Sequence, residues 1–165
     1  MARGPPDTRY REATVADAPS FARMDAECFP HHPYPERLMR DIVKRGAFCP
    51  VLEHDGELAG FAMLAVRQGT GDGLLITLDV GAPWRRRGLG TALVGLCARE
   101  VSRAGGALIV LTTALGNAPA RALYAKLGFR DAGVIEGYYG DDDALVMVHE
   151  DAAALAALAP DAQSP

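Results

Sequence analysis

The sequence predicts a single α/β domain built on a mixed β-sheet. Three observations support this. Apolar, strand-like runs alternate with helical patterns, two of these runs enclose an Asp-Gly turn, and glycines end several helical patterns. In chain order the elements read β-α-α-β-β-β-α-β-α-β-β. The chain has 165 residues, of which 49% are hydrophobic and 23% charged, and this suits one domain with a sizeable core.

The strand and helix candidates follow from hydrophobic periodicity and from the residues that interrupt it. The strand candidates are the apolar runs at 10–13, 48–53, 58–66, 74–80, 107–113, 129–135 and 144–149. The helix candidates lie at 15–29, 36–44, 87–103 and 117–127. Three prolines among residues 30–35 exclude a helix between the first two, because proline fixes the backbone and lacks an N–H donor.

Local signals support several of these bounds. Thr14 can cap the first helix with its side-chain oxygen. Asp55-Gly56 predicts a tight hairpin turn between the second and third strands. Gly128 is well placed to end the fourth helix in the left-handed conformation. The bounds of these elements therefore rest on capping and turn chemistry as well as on periodicity.

One domain accounts for most of the chain. We expect it to span residues 1–150, with an irregular start at 1–7. Residues 151–165 form an Ala- and Pro-rich tail that has room for one or two helical turns. No internal repeat interrupts this organisation.

Composition excludes several classes of partner and site. The formal net charge of −4 gives no electrostatic reason to expect nucleic acid. No apolar run approaches the roughly 18 residues of a membrane span, and the N-terminal residues lack the apolar core of a signal peptide. We therefore expect a cytoplasmic protein that does not bind membranes. Cys28, Cys49 and Cys97 lie far apart, and His31-His32 match no zinc signature, so we expect neither disulfides nor a metal.

A basic turn between a strand and a helix is the most informative stretch. Residues 78–91 read Leu-Asp-Val-Gly-Ala-Pro-Trp-Arg-Arg-Arg-Gly-Leu-Gly-Thr. The first turn of a helix has N–H groups without internal partners, its dipole favours anions, and glycines let a phosphate approach the backbone. The stretch therefore predicts an anion site, and the alternative is a plain helix start with a solvated basic turn.

The spacing of the motif narrows the class of anion. A Walker loop would need Gly-Lys-Ser/Thr and a Rossmann fingerprint a third glycine, and both are absent. Arg85-x-x-Gly88-x-Gly90 instead resembles the pyrophosphate-binding motif of the GCN5-related N-acetyltransferase (GNAT) family. Residues 117–129, Asn-x-x-Ala-x-x-Leu-Tyr-x-x-Leu-Gly-Phe, resemble the second signature of that family, one strand later. The resemblance covers most of the chain from about residue 48 to 148.

This resemblance implies a fold and a reaction. The implied fold is α+β, with a central, mixed, mostly antiparallel twisted sheet of about seven strands and about four flanking helices. The implied reaction moves an acetyl group from acetyl-CoA to a primary amine by direct attack, without a metal. The chain would act as a monomer or a homodimer.

Site residues also follow from the resemblance. The implied cofactor-binding residues are Leu78, Asp79, Val80, Arg85, Arg86, Arg87, Gly88, Leu89, Gly90, Thr91, Asn117 and Tyr124. Residues 78–80 would meet pantetheine, where the Val80 N–H would polarise the thioester carbonyl as an oxyanion-type donor. Residues 85–91 would hold the pyrophosphate. Asn117 would contact the pantetheine arm, and it is also a good helix N-cap.

Tyr124 is the candidate catalytic residue. In the family, a tyrosine at this place in the motif donates a proton to the departing thiolate. A phenol within hydrogen-bond reach is chemically suited to that step. The alternative is a packing role beside Leu123 and Leu127 on the buried face of the helix.

Within the family, the chain most resembles the N-terminal protein acetyltransferases, including the bacterial ribosomal-protein-alanine type. Residues 29–35 resemble their Phe-x-x-Pro-Tyr/Trp loop, and residues 137–147 resemble their Tyr-Tyr…Asp-Ala-x-x-Met ending. The substrate-binding residues implied by these loops are Phe29, Tyr34, Tyr138 and Tyr139. The acceptor would then be the α-amine of a protein or peptide, although Tyr138 and Tyr139 could instead close a hairpin by packing.

The general base has no single candidate. Near pH 7 an α-amine is substantially neutral, whereas a lysine needs roughly 4–5 kcal/mol to lose its proton. The subfamily has an acidic residue on the fifth strand where this chain has Thr112, which cannot act as a base. The remaining candidates are Asp79, Glu27, Glu136, His31, His32 and His54. Two alternatives therefore stay open, a small-molecule amine acetyltransferase and a coenzyme A sensor without activity.

Overall fold

The computed structural model describes residues 8–161, and the predicted irregular start at 1–7 lies outside them. The described strands are β1 (Thr8–Glu12), β2 (Pro50–His54), β3 (Glu57–Val66), β4 (Gly73–Val80), β5 (Ile109–Ala114), β6 (Arg130–Ile135) and β7 (Ala144–His149). The α-helices are α1 (Ala18–Cys28), α2 (Glu36–Lys44), α3 (Leu89–Arg103), α4 (Ala118–Lys126) and α5 (Ala152–Ala156). The predicted α/β class and its order of elements are confirmed.

The strands form one sheet in the order β1-β2-β3-β4-β5-β7-β6. All neighbouring pairs are antiparallel except β4 and β5, which are parallel. At the β2–β3 hairpin, Asp55 and Gly56 have φ angles of 50° and 77°, the left-handed values that a tight Asp-Gly turn requires. The predicted mixed, mostly antiparallel sheet of seven strands is therefore confirmed.

The parallel pair β4–β5 separates part of the way along its length. Only Gly73–Leu75 of β4 pairs with β5, at residues 109–111. Beyond this contact, residues 76–80 of β4 do not pair with residues 112–114 of β5. A gap therefore opens in the middle of the sheet, where the backbone N–H and C=O groups of the two strands do not bond to each other.

A bulge in β4 marks the point where the gap opens. Met63 pairs with Thr77 and Leu64 pairs with Leu75, so Ile76 is an extra residue on β4. A bulge adds twist and changes which face the following side chains point to. After it, Thr77 bonds toward α1, whereas Leu78 packs against the core on the other face.

Two hydrophobic clusters cover the two faces of the sheet. The larger is built on α3 and includes buried Leu93, Leu96 and Val101. The smaller contains Phe21 of α1, Met39 of α2 and Phe61 of β3, and the two phenylalanine rings stack with centroids 4.0 Å apart. The sheet is thus packed on both sides, and α1 and α2 lie on the face opposite α3.

The start of α1 differs from the prediction. Residues Val15–Asp17 form a 3₁₀ turn, and the α-helix begins at Ala18 rather than at residue 15. Pro19 lacks the N–H that would bond to the Val15 carbonyl in an α-helix, and the Ala18 N–H donates to that carbonyl instead. The Asp17 carboxylate accepts the Thr14 N–H at 2.8 Å and holds the turn.

The C-terminal segment contains a fifth α-helix, where about four helices were predicted. Ala152 and Leu155 of α5 are buried in the larger cluster against α3. Gly95 of α3 makes room for this segment, because a Cβ there would lie 2.3 Å from the backbone nitrogen of Ala159. No helix among residues 8–161 is both long and apolar enough to cross a membrane.

Candidate active site

The wall of the gap ends at Val80. The Gly81 N–H donates to Ala59 of β3 at 2.8 Å, so by strand alternation the polar backbone groups of Val80 point away from β3 and into the gap. The Val80 carbonyl accepts a hydrogen bond from Arg85 Nε at 3.1 Å and a weaker one from the Cys28 thiol at 3.6 Å. The Val80 N–H is therefore directed into the gap, and its role as an oxyanion-type donor stays a prediction.

The basic turn leads directly from the gap into α3. Gly88 precedes the helix with a φ of 83°, and Arg86 also has a positive φ of 63°. The first bond within α3 runs from the Ala92 N–H to the Gly88 carbonyl at 3.0 Å, so residues 89–91 have no intrahelical acceptor for their N–H groups. The side chains of residues 85–87 are exposed around these donors. The turn therefore has the donors and the charge that a pyrophosphate requires.

Glycine is required at two positions of this turn for different reasons. At Gly88 the left-handed backbone favours glycine, and the space around its Cα is open to a ligand. At Gly90 a Cβ would lie 3.1 Å from Leu123 of α4, so glycine lets α3 and α4 approach closely. The turn therefore has open space beside Gly88, and its predicted contact with pyrophosphate stays a prediction.

Asn117 lies at the start of α4. Its Oδ1 accepts the Ala120 N–H at 3.2 Å, which makes Asn117 the N-cap of that helix. Its predicted contact with pantetheine stays a prediction.

Tyr124 is buried on α4. It is 7% exposed, and its ring meets Phe129 edge-on with centroids 5.5 Å apart. Burial raises the pKa of Tyr124, and the nearby Asp79 carboxyl raises it further. The phenol therefore stays protonated at neutral pH, which is the form that a general acid needs.

Two loops meet on the α1 side of the gap. One is residues 29–35, and the other is residues 136–143 between β6 and β7. His32 joins them, because its Nε2 lies 2.8 Å from Asp141 Oδ1 and its ring lies 5.5 Å from that of Tyr139. The two loops therefore form a single bridged structure beside the gap.

The predicted substrate-binding tyrosines differ in their surroundings. Tyr138 is 53% exposed and meets Tyr139 edge-on at 4.9 Å. Tyr34 is half-buried, and burial raises its pKa to about 12, with smaller contributions from Tyr138 and Tyr139. Burial also raises the pKa of Tyr139, while a hydrogen bond with Thr112 opposes this shift. The tyrosines are thus close enough to act on one another electrostatically, whereas Phe29 ends α1 at the edge of the same loop.

Beneath these tyrosines lie two buried carboxyl groups. Asp25 of α1 is 0% exposed and Asp79 of β4 is 1% exposed. The Thr77 hydroxyl donates to Asp79 Oδ1 at 2.7 Å and lies 3.4 Å from Asp25 Oδ1. Burial raises the pKa of Asp79 well above its usual value, and the neighbouring Asp25 raises it further.

The structure separates the candidates for the general base. Glu27, Glu136, His31 and His32 are exposed, and His54 lies on β2 beside Asp55 at the far side of the sheet. Asp79 alone among the candidates is buried next to Tyr34 and Tyr124. Its carboxyl faces α1, while the neighbouring backbone of Val80 lines the gap.

Asp25 was missed by the sequence reasoning. A usable signal exists, because Phe21, Met24 and Asp25 share one face of α1 at helical spacing, and this places a carboxyl on the buried side. Thr77 was missed because the bulge at Ile76 changes its face, and strand alternation alone does not reveal that.

No grouping of three or more metal-ligating side chains occurs within residues 8–161. His32 is directed to Asp141, and Cys28 is directed to Val80 and Arg85. His32 and Cys28 are close in sequence but contact different partners.

Comparison with known proteins identifies the family. Residues 13–129 match the model of the acetyltransferase (GNAT) family. An N-alpha-acetyltransferase of Sulfurisphaera tokodaii is 29% identical over 153 residues, which cover 84% of this chain and 90% of that protein. A mycothiol acetyltransferase of Clavibacter michiganensis is 35% identical over 130 residues, which cover 73% of this chain but only 42% of that protein.

Solved structures agree on the fold. The crystal structure of the ribosomal-protein-S18-alanine N-acetyltransferase from Escherichia coli superposes with a TM-score of 0.74 at 23% identity, covering 96% of both chains. The family match spans more than half of this chain and includes both the basic turn and α4. The chain therefore belongs to the GNAT family of acetyltransferases and is an acyl-CoA-dependent N-acetyltransferase with acetyl-CoA as its co-substrate.

Proposed function

We propose that this enzyme acetylates the α-amine of a protein or peptide N-terminus. The observation that carries the proposal is the bridged pair of loops beside the gap, joined by His32 Nε2 and Asp141 Oδ1 at 2.8 Å. A cleft that is bridged on one side admits the free end of a chain more easily than a side chain in the middle of one. Tyr34 and Tyr139 of these loops would contact the peptide.

The cofactor half of the reaction rests on the gap and the basic turn. Residues 85–91 would bind the pyrophosphate, and pantetheine would lie along residues 78–80 with Asn117 on its other side. The Val80 N–H would polarise the thioester carbonyl, and Tyr124 would protonate the departing thiolate.

The relatives support a peptide substrate at modest sequence identity. The N-alpha-acetyltransferase matches over most of both chains, but its identity of 29% is modest. A small-molecule amine is the second candidate, and the mycothiol acetyltransferase match favours it. That relative is more than twice as long as the matched region, so the activity of the whole relative is not assigned to this chain.

A panel of acceptors tests the proposal. Thiol release from acetyl-CoA is measured with peptides that differ in their first residues, with the same peptides blocked at the α-amine, and with free polyamines and amino sugars. We expect turnover only with unblocked peptides. Turnover restricted to small amines would reject the peptide substrate and favour the second candidate.

A further inference from the structure

The loop of residues 29–35 is fixed to α1 through a single backbone donor. Tyr34 lies between Pro33 and Pro35, which have no N–H group, so the Tyr34 N–H is the one backbone donor of this stretch. It donates to Asp25 Oδ2 at 2.7 Å, a short distance that is typical of a bond to a charged oxygen. Asp25 therefore holds the backbone at the centre of the loop.

Asp25 is held in turn by β4. Its buried carboxyl is hydrogen-bonded to that of Asp79, whose Oδ1 accepts the Thr77 hydroxyl at 2.7 Å. No N–H or O–H group of residues 8–161 donates to Asp79 Oδ2, so the hydrogen in the bond to Asp25 is a proton that the pair retains. Burial raises the pKa of Asp79 well above its usual value, and the bond to Asp25 raises it further, which favours this protonated form.

These contacts form a continuous chain of hydrogen bonds from the sheet to the loop. Thr77 donates to Asp79, the Asp79 carboxyl donates to Asp25, and the Tyr34 N–H donates to Asp25 from the other side. Among residues 8–161, no arginine, lysine or histidine makes an ion pair with either carboxyl. The charge that remains on Asp25 is therefore stabilised by these donors.

The chain of hydrogen bonds connects the two halves of the proposed site. Val80, whose N–H points into the gap, follows Asp79 on β4. At the other end, the half-buried Tyr34 ring lies close enough to Tyr138 and Tyr139 for both to raise its pKa. A movement of the loop relative to β4 would therefore change the distance between the thioester position and the tyrosines.

We propose that Asp25 is a positioning residue for the acceptor and holds the Tyr34 loop at a fixed distance from the thioester position on β4. Asp79 acts through Asp25, because its proton orients the Asp25 carboxylate toward the loop. This inference rests on the proposed peptide substrate, since Tyr34 is one of the residues that would contact the peptide. Breaking the chain of hydrogen bonds should weaken acceptor binding and leave the acetyl transfer step nearly unchanged.

Three variants separate the hydrogen bonds of Asp25 from its charge. Asp25→Ala removes the acceptor of the Tyr34 N–H, so KM for the peptide should rise about tenfold or more, while kcat and KM for acetyl-CoA stay within about twofold of the wild type. Asp25→Asn keeps an oxygen for the Tyr34 N–H and offers an amide N–H to Asp79. Asp79→Asn replaces the carboxyl proton with an amide N–H. Both asparagine variants should keep a peptide KM near that of the wild type.

Asp72→Ala is the matched control. Asp72 also accepts backbone N–H groups, those of Ala107 and Leu108, but it lies at the end of β4 remote from Val80. This variant should lower stability without changing KM for the peptide. A peptide KM in Asp25→Ala equal to that of the wild type would overturn the proposal. A rise in either asparagine variant as large as in Asp25→Ala would overturn it too, as would a fall in kcat alone.

Hydrogen exchange covers the case in which Asp25→Ala does not fold. Since Pro33 and Pro35 have no amide hydrogen, the Tyr34 amide alone reports on this stretch of backbone. In the wild type and in Asp25→Asn, NMR should show that this amide exchanges far more slowly than an unbonded one. Exchange of the wild-type Tyr34 amide at the rate of an unprotected peptide would mean that Asp25 does not hold the loop, and the proposal would fail.

The choice of acceptor separates this inference from the proposed function. If only small amines are acetylated, the peptide substrate is rejected, and the KM of Asp25→Ala for those amines decides the role of Asp25. A rise in that KM would support the positioning role, and an unchanged KM would overturn it. Absence of turnover with every amine would overturn both the function and the inference.

Discussion

Tyr124 combines burial with a position beside Asp79, and both raise its pKa. The raised pKa keeps the phenol protonated at neutral pH, so Tyr124 would have a proton to donate when a thiolate departs within hydrogen-bond reach. At this scale the proposed acid step depends on a single atom, the phenol proton of Tyr124. Substitutions that remove one atom therefore test the site more cleanly than truncations.

Tyr124→Phe removes the hydroxyl and leaves the ring packed against Phe129. We expect kcat to fall by about 10²–10³-fold because thiolate departure loses its acid. Coenzyme A affinity, measured by calorimetry, should stay close to that of the wild type. Tyr10→Phe on the distant strand β1 is the control. An unchanged kcat for Tyr124→Phe would leave Tyr124 with a packing role only.

The turn before α3 is the element that carries the cofactor prediction. Gly88→Ala forces a side chain onto a backbone with φ of 83°, and Gly105→Ala does the same at the other end of α3 with φ of 85°. In both places the Cβ meets open space. Both variants should therefore lose a similar stability, about 1–2 kcal/mol.

The two variants should differ in cofactor affinity. Gly88→Ala places a methyl group where the pyrophosphate approaches the backbone, so its dissociation constant for coenzyme A should rise by roughly tenfold or more. Gly105→Ala should bind as the wild type does. Equal affinities in calorimetry would mean that the turn does not hold the pyrophosphate.

The loop bridge is a second element with a testable role. His32→Leu removes the contact with Asp141 and frees the two loops to separate. We expect KM for the peptide to rise while KM for acetyl-CoA stays the same. His54→Leu, which removes a comparable contact with exposed Asp55 on the far side of the sheet, should change neither. A peptide KM equal to that of the wild type in His32→Leu would mean that the contact between His32 and Asp141 has no role in peptide binding.

At the scale of the whole molecule, Asp79 should lower stability as the pH rises. Its folded pKa is raised, so the native state binds more protons than the unfolded chain between the two pKa values, and stability falls as pH rises through that window. Asp79→Asn removes the effect and should raise Tm at pH 8 by roughly 2–4 °C per kcal/mol gained. The gain should be smaller at pH 5.

Asp72→Asn should change Tm in the opposite direction. The N–H groups of Leu108 and Ala107 hold the pKa of Asp72 below its usual value, so its contribution is present near neutral pH and lost as pH falls through its folded pKa. That variant should lower Tm at pH 8. If both variants shift Tm in the same direction, the assignment of the Asp79 pKa is wrong.

Much of the fold follows from local chemistry in the sequence. The bounds of α2 and β7 match the prediction residue for residue, because prolines and glycines delimit the helix and apolar periodicity marks the strand. What could not be predicted depends on contacts distant in the chain. The bulge at Ile76 decides that Thr77 meets Asp25, and the separation of β4 from β5 exposes Val80. Packing of α5 on α3 depends in the same way on space at Gly95.

The central claim is acetyl transfer from acetyl-CoA to a peptide α-amine, and locating the acetyl group on a product tests it most directly. A peptide that carries both a free α-amine and an internal lysine is incubated with the enzyme and acetyl-CoA and sequenced by tandem mass spectrometry. We predict acetylation at the first residue, none at the lysine, and loss of the product with Tyr124→Phe. Acetylation at the lysine alone, or no acetylated peptide while small amines are consumed, would contradict the claim.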